Sequence, residues 1–207
     1  MSELDLRKSK IFLQAKAGSG QAFDELFSQQ AVPVRLFVRY RMGRKLRSIM
    51  ESRDLVQEVY LHAFRSFGAF EGQSSQDLYR WLCGIAGHRM ADERRRLGAL
   101  KRGGDARFEP QPDSTRQSPV EGAGDPKPGP RTVAALQEEG ARMEEAFARL
   151  PERDQEVIGL RQFEGLSARE TAERMGIGEN NVNVIYFRAL GRWRTLLERM
   201  EKKRAGG

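Results

Sequence analysis

Between Gly98 and Ala135 the chain carries six prolines (110, 112, 119, 126, 128 and 130) and six glycines (98, 103, 104, 122, 124 and 129), with Phe108 as its only aromatic residue. A stretch like this buries too little apolar surface to offset the entropy lost in ordering it, so it reads as a flexible linker. Its length and proline content favour an extended connection over a compact third domain. The 207-residue chain is thereby divided into an N-terminal unit, residues 1–97, and a C-terminal unit, residues 136–207, joined by residues 98–135. Apolar residues make up 39% of the chain, so a single large core spanning both units is not expected.

Both units have helical periodicity. Phe23, Leu26 and Phe27 share one face, while Val34, Phe37 and Val38 share another that begins beside Pro33, a residue tolerated in a first helical turn. A third helix is predicted from about Asp54 to Phe67, with Val56, Tyr60, Ala63 and Phe64 inward. "SSQD" at 74–77 has the spacing of a capping box with Asp at the third helical position. Leu78, Trp81, Leu82, Ile85 and Ala86 then recur as the apolar face of a fourth helix. No run alternates with period two for long enough to make a strand. The fold class is all-α, two small helical domains on a Pro/Gly-rich linker.

Two surface stripes ask for an explanation. Asp54, Gln57, Glu58 and Leu61 follow i, i+3, i+4, i+7 spacing on the third helix, opposite its apolar face. Taken alone, this row is most simply a solvated face. On the next helix, Arg80, Gly84, Gly87, His88, Ala91, Arg94 and Arg95 form one continuous row. Two glycines inside a helix each cost about 1 kcal/mol relative to alanine. Small residues between arginines would let a phosphate backbone or an unstacked base approach closely. The competing reading is a solvated helix end with arginines placed favourably for the helix dipole.

Charge is distributed unevenly along the chain. The net formal charge is +7, and residues 1–97 hold 17 Lys/Arg against 11 Asp/Glu. Residues 138–173 hold 10 acids and 5 bases, whereas residues 174–207 hold 3 acids and 8 bases. That balance suits a polyanionic partner such as nucleic acid.

The most specific segment is "LSARETAERMGIGENNVNVIYFRALGRW", residues 166–193. Ser167 and Glu170 are spaced as a capping box. A helix-turn-helix needs a small residue where its helices cross, a turn glycine four residues on, and apolar residues that lock the second helix back. Ala172, Gly176, Ile177, Val182 and Ile185 fit those positions. The second helix, starting near Glu179, then offers Asn180, Asn181, Asn183, Val184 and Phe187 outward, followed by Arg188, Arg192 and Arg194. Asparagine suits adenine in the major groove, apolar side chains suit the thymine methyl, and the arginines suit phosphates. A helical hairpin that packs against another protein is the plainer alternative.

Enzymatic readings find no support in these residues. The chain has one cysteine, Cys83, and two histidines, His62 and His88, with no zinc-ligand spacing among them. It has no phosphate-binding "GxxxxGK" loop and no nucleophile, base and orienter set, so neither metal nor cofactor is expected. A lone cysteine fits a reducing compartment. With no apolar leader and no membrane-length apolar run, a cytoplasmic location and no membrane partner are expected.

With these motifs assembled, the chain resembles the extracytoplasmic function sigma factors, the two-domain group IV of the sigma-70 family. The resemblance rests on "DLVQEVYLHAFRSFGAFEG", "WLCGIAGHRMADERRR" and "LPERDQEVIGLRQFEGLSARETAERMGIGENNVNV", in this order and separated by the linker. It implies an alternative sigma factor that binds core RNA polymerase and directs promoter recognition, −10 melting and transcription initiation. Asp54, Gln57, Glu58 and Leu61 would contact the β′ clamp helices, and the β subunit would be a further contact. Arg80, Gly84, Gly87, His88, Arg94 and Arg95 would face the −10 strand, and the loop "FEGQSS", residues 70–75, would hold a flipped-out base. Asn180, Asn181, Asn183, Val184, Phe187, Arg188 and Arg192 would face the −35 element. The linker would thread toward the RNA exit channel.

The resemblance also allows for an anti-sigma factor as partner. Arg53 stands where the family often has an acid, and His88 where it commonly has an asparagine. "NNVNVIYF" lacks the basic residues usual before Arg188, so an unusual −35 preference is expected. Two other functions fit parts of the pattern: a stand-alone helix-turn-helix regulator, and a decoy that occupies polymerase without initiating. For the free protein, the absence of a heptad seam makes a monomer the default.

Overall fold

A computed structural model describes residues 3–101 and 127–206; most of the expected linker, residues 102–126, lies outside them. The described residues form ten α-helices and no strand: α1 (Glu3–Lys16), α2 (Gly20–Arg41), α3 (Arg44–Arg47), α4 (Ser52–Ser66), α5 (Ser75–Lys101), α6 (Pro130–Ala134), α7 (Gly140–Ala148), α8 (Glu152–Ile158), α9 (Ala168–Met175) and α10 (Glu179–Ala205). Wide π-helical turns at Ala135–Glu139 and Gly159–Phe163 join α6 to α7 and extend α8. The all-α expectation holds.

The centre of the structure is α2. Its Ser19 hydroxyl caps the first turn by accepting from the Ala22 amide at 3.3 Å. The helix then runs without interruption through Pro33, where the sequence suggested a new start. Pro33 removes one backbone hydrogen bond. Burial both before it (Phe23, Leu26, Phe27, Gln30, Ala31) and after it (Val34, Arg35, Leu36, Phe37, Val38) holds the two halves in one axis. Tertiary packing outweighs the local preference here.

On one side, Phe23 and Phe27 of α2 meet Tyr60 of α4 edge-on, with ring centroids 5.2 and 4.9 Å apart. Phe23 also meets Phe67 at 5.1 Å, and Phe67 and Phe70 pack on Trp81 of α5. On its other side α2 receives α6 and α7. The buried apolar residues consequently form one continuous cluster from Ala15 to Trp193, where the sequence suggested separate cores. The physical reason is that α2 is buried on both sides, with the C-terminal helices seated against it.

The linker boundary also moves. Residues 130–134, placed in the linker from composition, form α6, whose Thr132 is fully buried. Pro130 occupies the first helical turn, where a missing N–H costs nothing. The Gly129 amide donates to the Asp24 carboxylate of α2 at 2.9 Å, and the Thr132 hydroxyl donates to the Asp24 carbonyl at 3.4 Å. At the other end, α5 continues past Gly98 to Lys101.

Candidate protein-docking and nucleic-acid surfaces

Helix α4 buries Leu55, Val56, Val59, Tyr60 and Ala63 and leaves Phe64 half-buried, which fixes its rotation. Asp54, Gln57 and Glu58 are then exposed in one row with a half-buried Leu61. Asp54 sits in the first turn, where a carboxylate is favoured by the helix dipole. Arg53 lies 3.8 Å from Asp54 and 3.7 Å from Glu51, so the cation in "ESRD" is shared between the flanking acids. Partial desolvation raises the Glu58 carboxyl above its ordinary value even though the residue is largely exposed, opposed by the field of Arg89 on α5. The α5 residues Arg89, Glu93 and Arg96 therefore belong to the electrostatics of this row. Sequence reasoning missed them because they lie one helix away.

Helix α5 opens with the capping box the sequence predicted. The Asp77 amide donates to the Ser74 hydroxyl at 3.1 Å, and the Asp77 carboxylate accepts from the Ser74 amide at 3.1 Å and the Ser74 hydroxyl at 2.6 Å. That hydroxyl bond is the main reason the Asp77 pKa is lowered. Leu78, Leu82, Ile85, Ala86 and Met90 are buried. Trp81 is half-buried against Phe67 and Phe70, so it is a packing residue.

On the opposite face Arg80, Gly84, His88, Ala91, Arg94 and Arg95 are exposed, with Gly87 half-buried. A Cβ on Gly84 or Gly87 would meet no atom within 4 Å, so nothing inside the chain requires glycine there. Arg94 donates to the Arg41 carbonyl at 2.6 Å, which ties the end of α5 to the end of α2, and Arg95 pairs with Asp92 on its own helix.

The loop that leads into α5 is tightly closed. A Cβ on Gly72 would overlap the Phe70 ring and the Asp77 side chain, while Glu71, Gln73, Ser74 and Ser75 remain exposed.

Helices α9 and α10 form the predicted helix-turn-helix. The Ser167 hydroxyl accepts from the Glu170 amide at 3.2 Å, and the Glu170 carboxylate accepts from the Ser167 amide at 2.7 Å. Gly176 turns the chain at φ 66°, a left-handed conformation suited to glycine, and the Ile177 amide donates back to Ala172 at 3.1 Å. Ala172 and Val182 are buried at the crossing, with Ile177 and Ile185 half-buried beside them.

Asn180, Asn181, Asn183, Val184, Phe187 and Arg188 all face outward, and Phe187 is 69% exposed. Tyr186 is turned aside: its hydroxyl donates to Gln162 at 2.8 Å, and the Arg161 guanidinium lies over its ring. Arg192 is exposed, yet its guanidinium is held by the buried Asp154 at 2.6 Å. It is thus a structural tie as well as a candidate phosphate contact. Asp154 lies outside residues 166–193, the segment read from spacing as the helix-turn-helix, though inside the longer run that carries the resemblance.

Among the described residues there is no group of three or more His, Cys, Asp and Glu placed to hold a metal, and no helix long and apolar enough to cross a membrane. The exposed surfaces are an acidic and amide row on α4, a basic row on α5, and an amide and apolar face on α10. Together they mark an all-helical protein with a helix-turn-helix near its C-terminal end and a charged surface row on each of two adjoining N-terminal helices.

The ECF sigma factor profile matches residues 7–200. BldN of Streptomyces coelicolor, an ECF RNA polymerase sigma factor, is 28% identical over 184 residues, 89% of this chain and 63% of that protein. The ECF sigma factor SigD of Mycobacterium tuberculosis is 31% identical over 186 residues, 90% of this chain and 82% of SigD. A solved complex of RsbN with BldN aligns over 89% of this chain and 98% of the matched chain, at 25% identity and a TM-score of 0.32. CnrH bound to the cytosolic domain of CnrY aligns over 92% and 97%, at 21% identity and a TM-score of 0.36. The chain belongs to the ECF sigma factor family, the alternative sigma factors that direct RNA polymerase in transcription initiation.

Proposed function

We propose that this chain docks on core RNA polymerase through Asp54, Gln57, Glu58 and Leu61 and carries two promoter-reading surfaces into the holoenzyme. The observation that carries the reading is the division of α4 into two faces. One face is committed to the core of the fold, and the other presents an ordered acidic and amide row with a half-buried leucine at its end. The β′ clamp helices are the partner the family implies for this row, with the β subunit as a further contact.

The row Arg80, Gly84, Gly87, His88, Arg94 and Arg95 receives the opened −10 strand. Open space over Gly84 and Gly87 supports close approach of a backbone or base. Residues 70–75 lie at the head of that helix and take the flipped base. Asn180, Asn181, Asn183, Val184, Phe187, Arg188 and Arg192 receive the −35 element. With no cation on the first turns of α10, amide and apolar contacts set its base preference.

Residues 1–97 and 136–207 act as the two functional units, with the chain between them as connector. The protein works by binding, in the cytoplasm, as a monomer when free. Burial raises the Cys83 thiol to about 12, so it is protonated at neutral pH and does not act as a nucleophile. An anti-sigma factor, the inhibitor class the family brings with it, would act by covering one of these faces.

Reconstituted transcription tests the reading. Core polymerase plus this chain should yield transcripts from a pool of promoter fragments that core alone leaves silent. Binding of the isolated chain to palindromic sites, with no chain-dependent transcript, would replace this function with that of a stand-alone regulator.

A further inference from the structure

Phe70 opens the loop proposed to take the flipped base, and it is only 4% exposed although no helix carries it. Three rings bury it. Phe12 of α1 lies 6.1 Å from Phe70 and 6.3 Å from Phe67, and Phe67 lies 5.4 Å from Phe70. The three phenylalanine rings are inclined to one another by only 23°, 21° and 22°, so they lie as near-parallel plates at the corners of a triangle. Trp81 of α5 completes the set, 5.1 Å from Phe70.

The loop backbone is laid against this ring. A Cβ on Gly72 would overlap both the Phe70 ring and the Asp77 side chain, so the chain passes them with no room for a methyl group. The Asp77 carboxylate accepts from the Gln73 amide at 3.3 Å and the Ser74 amide at 3.1 Å. At the end of the loop the Gln30 amide of α2 donates to the Ser75 hydroxyl at 2.6 Å. Residues 70–75 are thus held from within the fold at both ends, while Glu71, Gln73, Ser74 and Ser75 stay exposed.

Phe12 is the support that α1 supplies. Phe67 has other partners, since Phe23 lies 5.1 Å and Trp81 5.9 Å from it, and it is 1% exposed. Phe12 is itself half-buried, at the rim of the cluster. Aromatic pairs prefer particular offsets and tilts, so one ring constrains the orientation of the next, which an aliphatic side chain of similar polarity does not.

We propose that Phe12 is a positioning residue for base capture: stacked on Phe67 and Phe70, it fixes the ring that the Gly72 backbone lies against, and so shapes residues 70–75 for the flipped base. The inference rests on the −10 role proposed for that loop. Phe12 touches no DNA here; it acts through Phe70. Extruding a base costs unstacking energy that contacts in the receiving site must offset. A loop that has still to be ordered offsets less of it, because binding must then also supply the ordering entropy.

The test uses holoenzyme formed with the full chain, and forked promoter DNA with 2-aminopurine moved stepwise along the −10 strand. The position that brightens most on binding of wild type marks the flipped base, and affinities for the four bases at that position measure capture. Phe12→Tyr keeps the ring and should match wild type. Phe12→Leu keeps an apolar side chain without the ring. It should melt within a few degrees of wild type and bind core equally well. Base discrimination at the flipped position should nevertheless fall about tenfold. Hydrogen exchange of residues 70–75 in the free chain should speed up in parallel. Combined with Gly72→Ala, the leucine should add little further loss, because both substitutions act on one loop.

Unchanged discrimination in Phe12→Leu would overturn the role and leave Phe12 as an anchor for α1. An equal loss at every −10 position, or a loss of core binding, would overturn it too, since general destabilisation is not confined to one base. If Phe12→Leu loses helix content, Phe12→Met, which fits irregular space more readily, is judged by the same criteria. A wild type that brightens at no position would end the base-capture reading, and this role with it. A wild type that brightens at one position, with the leucine variant indistinguishable from it, removes the inference about Phe12 alone.

Discussion

Arg192 of α10 donates to the Asp154 carboxylate at 2.6 Å, and the Asp154 side chain is only 5% exposed while that of Arg192 is 57% exposed. The ion pair ties the start of α8 to the middle of the proposed reading helix, so the angle of that helix depends on a residue outside the helix-turn-helix. Arg192→Ala should leave a buried carboxylate without its partner, at a cost of about 1–2 kcal/mol after allowance for exposure of the arginine. Thermal unfolding should shift down by about 2–6 °C, and −35 affinity should fall with it. Asn183→Ala, on the exposed face, should reduce −35 binding while stability stays within about 0.5 kcal/mol. Calorimetry beside promoter titration separates the two effects.

Gly84 and Gly87 offer a sharper separation. Neither would place a Cβ against any atom of the protein. Alanine at either position should therefore stabilise α5 by about 0.5–1 kcal/mol through helix propensity. The same methyl would stand where the −10 strand approaches. The expected outcome is a chain that melts slightly higher yet forms fewer open complexes, measured by permanganate reactivity of the melted bases. Unchanged promoter opening in both variants would return this row to a solvated face.

The loop before α5 should behave in the opposite way. Gly72→Ala drives a methyl into the Phe70 ring and the Asp77 side chain, disturbing the cap of α5 and the placement of residues 70–75. Polymerase binding through α4 should survive, whereas promoter melting should drop at least about tenfold, a loss of about 1.4 kcal/mol in transition-state stabilisation. Core binding assays and open-complex assays on the same preparation read the two outcomes.

Alkaline titration follows from buried acids. Burial raises Cys83 from 9.0 to about 12, and raises Tyr40 and Tyr60 from 10.0 to about 12. In each case the folded form keeps a proton that the unfolded chain releases. Stability should therefore be full below about pH 9 and should fall as pH rises from there toward 12. Denaturant midpoints measured between pH 7 and 11 check the sign. Thiol labelling at pH 8 should be slow in the folded chain and fast in urea, because the reactive thiolate is suppressed by burial.

Much of the placement of the candidate surfaces could be read from spacing alone. The period of Val56, Tyr60, Ala63 and Phe64 set the rotation of α4, and so placed Asp54, Gln57 and Glu58 outside. "SSQD" and "SARE" marked the starts of α5 and α9 because capping boxes use short-range hydrogen bonds that sequence order already contains. Pro33 misled, since its local cost is overcome by burial on either side of it. The α6 segment misled for a related reason: Thr132 is buried only because α2 covers it, a contact more than 100 residues distant in sequence. The excess acid in residues 138–173 was visible, but composition cannot say that Glu144 and Glu164 meet Arg35 and Arg41 and not solvent. Single charges carry no address.

The central claim is that the exposed row of α4 is a polymerase-docking face. Size-exclusion chromatography of the chain with core RNA polymerase, against an Asp54→Ala, Gln57→Ala, Glu58→Ala variant, tests it most directly. Those three side chains are exposed, so the variant should keep its helix content and melt within a few degrees of wild type. The account predicts that wild type co-elutes with core and the variant does not. Equal co-elution of both would contradict it, as would a wild type that never joins core yet binds DNA alone.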